Sequence, residues 1–120
     1  MHKVAILGSG VFTPSEVITT DELVASFNAY VDLWNAENAE AIAAGECPAK
    51  TYSTSDFIVA ASGIEKRYVL DKEGVLDPTR LFPRLDARAD EAPSHMADMG
   101  VDAAQTALRQ AGVEASAIEA

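Results

Sequence analysis

Near the start of the chain, Val4, Ala5, Ile6 and Leu7 form an apolar run closed by Gly8-Ser9-Gly10. An unbroken apolar run bounded by glycines is the pattern of a β-strand buried on both faces. Such a strand needs neighbours, because a buried unpaired backbone leaves N–H and C=O groups without partners. The rest of the chain offers little to pair with it. Tyr68, Val69 and Leu70 read as one brief strand, followed by a turn at Asp71-Lys72-Glu73-Gly74. The other patterned segments are three helices. This inventory points to part of a larger α/β sheet protein, or to a sheet completed by a partner.

The first helix carries strong signals. Thr19 and Glu22 stand at capping-box spacing, and Asp21 places negative charge at the positive end of the dipole. Leu23, Phe27, Tyr30, Val31, Trp34, Ala41 and Ile42 then recur every three or four residues on one stripe. Asp32, Asn35, Glu37 and Glu40 fall largely opposite, and Trp34 reads as core. With Gly45 and Pro48 as stop signals, the spacing predicts one helix ending near Ala44. After a loop at Thr51–Thr54, Ser55-Asp56 open a short helix through Ala61, closed by Gly63. Val75 to Pro93 reads as a long surface excursion anchored by Leu76, Leu81, Phe82 and Leu85. The last helix begins after Pro93 with Ser94 as its cap and stops at Gly112. Its Met96, Met99, Gly100, Ala103, Ala104, Ala107, Leu108 and Ala111 make a face of small residues suited to close packing. Val113 to Ala120 reads as a connector toward another strand.

Composition narrows the function classes. A chain of 120 residues, 48% hydrophobic and 23% charged, has the make-up of one globular domain at most. Nine basic against 19 acidic residues give a formal charge of −10. That balance opposes nucleic-acid binding and attraction to an anionic membrane surface. A single cysteine, Cys47, excludes an internal disulfide and a zinc site of paired cysteines. The run from Val4 to Leu7 is too short for a signal-peptide core, and nothing approaches a membrane span. A soluble cytoplasmic protein without a metal or cofactor is the expectation.

Familiar catalytic patterns are incomplete. Gly8-Ser9-Gly10 opens like a dinucleotide fingerprint, but Thr13 replaces the third glycine and Pro14 stands where a helix should begin. The two glycines are better read as allowing a tight turn and close packing. Cys47 has acidic sequence neighbours, which do not lower a thiol pKa. The possible base partners are His2, at the terminus, and His95, in a first helical turn where the dipole opposes an imidazolium. The carboxylates show no spacing beyond that of a solvated face.

One set of blocks is more specific. Ile6-Leu7-Gly8-Ser9-Gly10-Val11-Phe12-Thr13-Pro14, Thr20-Asp21-Glu22-Leu23, the segment from Ser55 to Arg67 with its Ser62-Gly63-Ile64 turn, and the Ala103–Gly112 helix end occur in that order. Together they resemble the start of the beta-ketoacyl-acyl carrier protein synthase III family. Segments near 28–54 and 72–93 look like family-variable insertions. The form with Asn28 to Val31 in its helix is similar to synthases that take medium-chain acyl-CoA primers.

The resemblance implies an α/β, thiolase-like fold of five α-β-α-β-α layers, of which residues 1–120 supply an incomplete N-terminal half. It implies a homodimer, or the remainder of the enzyme as a second chain. The reaction implied is condensation of an acyl-CoA primer with malonyl-acyl carrier protein through a cysteine acyl-enzyme, with loss of carbon dioxide. The family's Cys, His and Asn fall beyond this sequence, and Cys47 does not match the nucleophile. Coenzyme A contacts carry over to Phe57, which stands where the family stacks an aromatic on adenine, and to the hydroxyls of Ser53 and Ser62. Ala61 replaces the family's arginine, which removes a charge-assisted contact. An acidic chain repels an acidic carrier protein at long range; Lys66-Arg67 and Arg80, Arg84 and Arg88 are the local basic candidates, though solvated or surface-paired roles also explain them. Two alternatives stand beside this reading: a non-catalytic module that binds a partner through the long helix, and a thiolase-superfamily acyltransferase with different condensation chemistry.

Overall fold

A computed structural model describes residues 4–118. They form two compact units, one spanning Pro14–Leu85 and one combining residues 4–13 with 86–118.

In the first unit, β1 (Glu16–Thr19) is followed by α1 (Thr20–Glu37), α2 (Ala39–Ala43), α3 (Ser55–Ser62), β2 (Lys66–Val69) and α4 (Lys72–Leu76). β1 and β2 pair antiparallel, with Glu16 opposite Val69 and Thr19 opposite Lys66. The mixed helix and strand content agrees with the α/β expectation at that level. Ile18 and Val31, each 1% exposed, are the fully buried apolar side chains among the described residues. Two buried hydroxyls fasten α1 around them. Thr20 donates to the Ile64 carbonyl at 2.7 Å and Ser26 to the Leu76 carbonyl at 2.8 Å.

The capping box forms in full. Thr19 Oγ1 accepts the Glu22 N–H, and Glu22 accepts the Thr19 N–H at 2.9 Å. The expected single helix to Ala44 is interrupted at Asn38. Its backbone N–H and its side-chain amide both donate to the Trp34 carbonyl, at 3.0 and 2.8 Å. A short polar side chain competing for backbone partners explains the break. α3 matches its expected start and stop: Thr54 Oγ1 accepts the Phe57 N–H, and Gly63 closes the helix at φ 69°. The expected turn at 71–74 is the start of α4 instead, because the Asp71 carboxylate caps it by accepting the Gly74 N–H.

In the second unit, α5 (His95–Ala111) runs between a Ser94 cap and Gly112, as its sequence signals require. A 3₁₀ turn follows at Ala115–Ala117. The small face of α5 serves close packing: a Cβ on Gly10 would lie 2.0 Å from the Ala103 carbonyl oxygen, and one on Gly8 2.3 Å from that of Ala107. The Ser9 N–H donates to Gln110 Oε1 at 2.6 Å between them. The buried strand expected at Val4–Leu7 does not form. Residues 4–13 lack regular structure, and Val4 and Ile6 are 94% and 93% exposed. A strand buried on both faces requires paired edges and two covering layers, and no strand within the described residues pairs with this segment. His2 lies outside the described residues.

Candidate functional site

The first unit contains an apolar groove of about 730 Å³. Leu23, Val24 and Phe27 of α1 form one wall, and Phe57 and Ile58 of α3 face them. Val75 and Leu81 add apolar surface, and Thr51 to Thr54 run along the rim. The stripe that the sequence places on α1 thus divides its work: Val31 is buried, while Leu23 and Phe27 line an open site.

Two asparagines set the rim. Asn28 Oδ1 accepts the Ser53 N–H at 2.9 Å, and its amide donates to the Ser53 carbonyl at 3.0 Å. Asn35 repeats the pattern with Lys50 at 2.9 and 3.0 Å. Each side chain imitates a neighbouring strand, so the segment gains ladder-like bonds from a helix. The sequence reading put Asn35 on the solvent side and gave Asn28 no contact. Their seven-residue spacing, two helical turns, is the signal that would have found them. Tyr52 donates its hydroxyl to Asp32, and this hydrogen bond, aided by the carboxylate's charge, raises the Tyr52 pKa above the usual phenol range. Lys50 Nζ lies 4.6 Å from the Trp34 ring centroid and 5.6 Å from that of Tyr30.

Of the three residues expected to contact coenzyme A, the structure brings two together. Phe57, 68% exposed, and Ser53 line the groove. Ser62 ends α3 and does not line it. Its hydroxyl donates to the Ile58 carbonyl at 2.7 Å and accepts the Ile64 N–H at 3.2 Å. Leu81, read as an anchor of the surface excursion, lines the groove from a left-handed backbone at φ 59°. The Asp77 turn produces that conformation: the Asp77 carbonyl accepts the Arg80 and Leu81 N–H groups. The Asp77 carboxylate accepts the Thr79 hydroxyl and N–H, which lower its pKa.

The basic candidates are individually engaged. Lys66 lies over Tyr68, Arg80 over Phe82, Arg84 pairs with Glu73 and Asp77, and Arg88 pairs with Asp98. Arg67 differs, since its Nη1 is buried without a hydrogen-bond partner among the described residues. Cys47 is half-buried. Among the described residues no cluster of His, Cys, Asp and Glu could hold a metal ion, and no helix is long and apolar enough to cross a membrane.

The chain is similar to the beta-ketodecanoyl-[acyl-carrier-protein] synthase of Pseudomonas aeruginosa, with 47% identity over 94 residues. The match covers 78% of this chain and 27% of that protein, so the chain spans about a quarter of the relative's length. No family model matches the chain. The likeness bears out the resemblance to beta-ketoacyl-acyl carrier protein synthases read from the sequence blocks.

Proposed function

We propose that this chain is the opening part of a synthase III-like condensing enzyme of fatty-acid synthesis that extends a medium-chain acyl-CoA primer by two carbons. The observation that carries the reading is the 47% identity over 94 residues to a protein named for a beta-ketodecanoyl product. A ten-carbon β-keto product corresponds by two-carbon extension to an octanoyl primer.

In this reading residues 1–120 belong to the N-terminal half of a thiolase-like fold in a cytoplasmic homodimer. Val4–Leu7 becomes a central strand when strands from the rest of the enzyme flank it, which accounts for its apolar side chains lying exposed here. The catalytic cysteine lies beyond residue 120. Its thiolate attacks the acyl-CoA thioester and expels coenzyme A. Malonyl-acyl carrier protein then loses carbon dioxide, and the resulting carbanion attacks the acyl-enzyme carbonyl, releasing the cysteine. Cys47 takes no part. The role of this chain is substrate entry, through the groove that Phe57 and Ser53 share, with Ser62 at the C-terminal end of α3.

The test is incubation of the complete enzyme with octanoyl-CoA and malonyl-acyl carrier protein, followed by mass analysis of the carrier. A carrier-bound β-ketodecanoyl group with release of carbon dioxide supports the reading. A carrier that keeps its malonyl group, or loses it without elongation, contradicts it.

A further inference from the structure

We propose that Lys50 binds a phosphate of the coenzyme A part of the acyl thioester, supplying from beside the groove the positive charge that Ala61 lacks. The inference rests on the condensing-enzyme reading above and assigns a specificity-determining residue to it.

The need comes from the ligand. Coenzyme A carries a diphosphate and a ribose phosphate, which are held by cations or by free N–H groups. Where the family resemblance gives an arginine, this chain has Ala61. No side chain that lines the groove is charged. A nucleotide stacked on Phe57 therefore requires a cation from outside the lining.

Two cations adjoin lining residues along the chain, Lys50 before Thr51 and Arg80 before Leu81. Arg80 is committed elsewhere: its guanidinium lies 4.2 Å from the Phe82 ring centroid, and its Nε donates to the Phe82 carbonyl at 3.3 Å. Lys50 is different. Its ammonium forms no ion pair among the described residues and rests on the rings of Trp34 and Tyr30. Asp32, on the same helix as these rings, accepts the Tyr52 hydroxyl instead. A partly exposed aromatic face holds an ammonium more weakly than a phosphate does, so the side chain can leave the rings for a ligand.

The backbone of Lys50 is fixed while its ammonium is not. Asn35 accepts the Lys50 N–H at 2.9 Å and donates to its carbonyl at 3.0 Å. The Tyr30 ring under the ammonium lies 6.2 Å from the ring of Phe27, which lines the groove. The charge thus stands one aromatic step beyond the α1 wall, on a flexible four-carbon stem anchored to that helix.

The experiment compares octanoyl-CoA with octanoyl-pantetheine, which lacks every phosphate of the nucleotide, as substrates of the complete enzyme. Lys50→Met should raise the KM for octanoyl-CoA about ten- to a hundredfold, leave kcat unchanged, and leave the KM for octanoyl-pantetheine unchanged. Lys50→Arg should restore most of the loss. The octanoyl thioester of dephospho-coenzyme A, which keeps the diphosphate, assigns the phosphate: a persisting effect of Lys50→Met points to the diphosphate, a vanished one to the ribose phosphate. Arg109→Met removes the same charge from α5 and should alter neither KM. A KM for octanoyl-CoA that Lys50→Met leaves unchanged overturns the proposal. So does an equal rise for both thioesters, which marks lost packing on Trp34, or an equal rise in Arg109→Met, which marks net charge. The condensing-enzyme reading survives each of these results, because octanoyl-CoA is still turned over. If the unaltered enzyme elongates neither thioester, that reading falls and the proposal falls with it.

Discussion

Asn28 and Asn35 stand two turns apart on α1, and each closes a reciprocal pair of hydrogen bonds on one backbone residue of the rim, Ser53 and Lys50. Seven helical residues rise about 10 Å, and three residues of extended chain cover about the same distance. That match of lengths lets one helix hold both ends of the segment that borders the groove.

Asn28→Ala leaves the Ser53 N–H and carbonyl without their partner. A loss of about 1–3 kcal/mol in stability is expected, together with faster hydrogen exchange of the Ser53 amide. Asn28→Asp keeps the acceptor but loses the donor and should recover only part of the loss. Denaturation midpoints of the three proteins check this; unchanged midpoints would remove the clamp from the account.

Gly10→Ala should disturb α5. The added Cβ would lie 2.0 Å from the Ala103 carbonyl oxygen, which is helix backbone and cannot turn aside. Overpacking of this kind costs about 1–3 kcal/mol. The expected readout is weaker amide protection across residues 95–111, with residues 14–85 much less affected.

Acid should loosen the first unit. The Lys72 ammonium, followed by the Thr19 N–H, lowers the Glu22 pKa. The Arg84 and Gly74 N–H groups lower that of Asp71, and the Thr79 hydroxyl and N–H that of Asp77. A carboxylate with a depressed folded pKa contributes stability that is complete above its unfolded pKa and lost as pH falls through the folded one. Melting temperature should therefore decline on acidification from about pH 5 downward, and less steeply in Lys72→Met, which removes the first partner of Glu22.

Phe57→Ala tests the groove by kinetics. Losing a ring that becomes covered by ligand should raise the KM for acyl-CoA roughly ten- to a hundredfold, from the transfer free energy of a phenylalanine side chain. An unchanged KM would take Phe57 out of the site.

Local signals in the sequence were sufficient wherever a short pattern decides the structure. Thr19 with Glu22, Ser55-Asp56 with Gly63, and Ser94 with Gly112 mark helix ends within one or two residues, because caps are local chemistry. Asn38 breaks the long helix through its own side chain, a competition that hydrophobic spacing does not register. β1 escaped notice because Val17 and Ile18 are too few to show a period. Val4–Leu7 carries the pattern of a buried strand but stands exposed, since burial depends on partners that local sequence does not contain. Phe57 and Ser53, which family resemblance gives as coenzyme A contacts, both line the groove. Leu81 was read as an apolar anchor, but its place in the groove depends on the Asp77 turn, which delivers it in a left-handed conformation.

The most direct test of the account is the intact mass of the complete protein after exposure to octanoyl-CoA alone, followed by peptide mapping of the adduct. The expected result is one octanoyl group per chain, on a cysteine outside residues 1–120, with Cys47 unmodified. No adduct, or an adduct on Cys47, would contradict a condensing enzyme whose nucleophile lies beyond this segment.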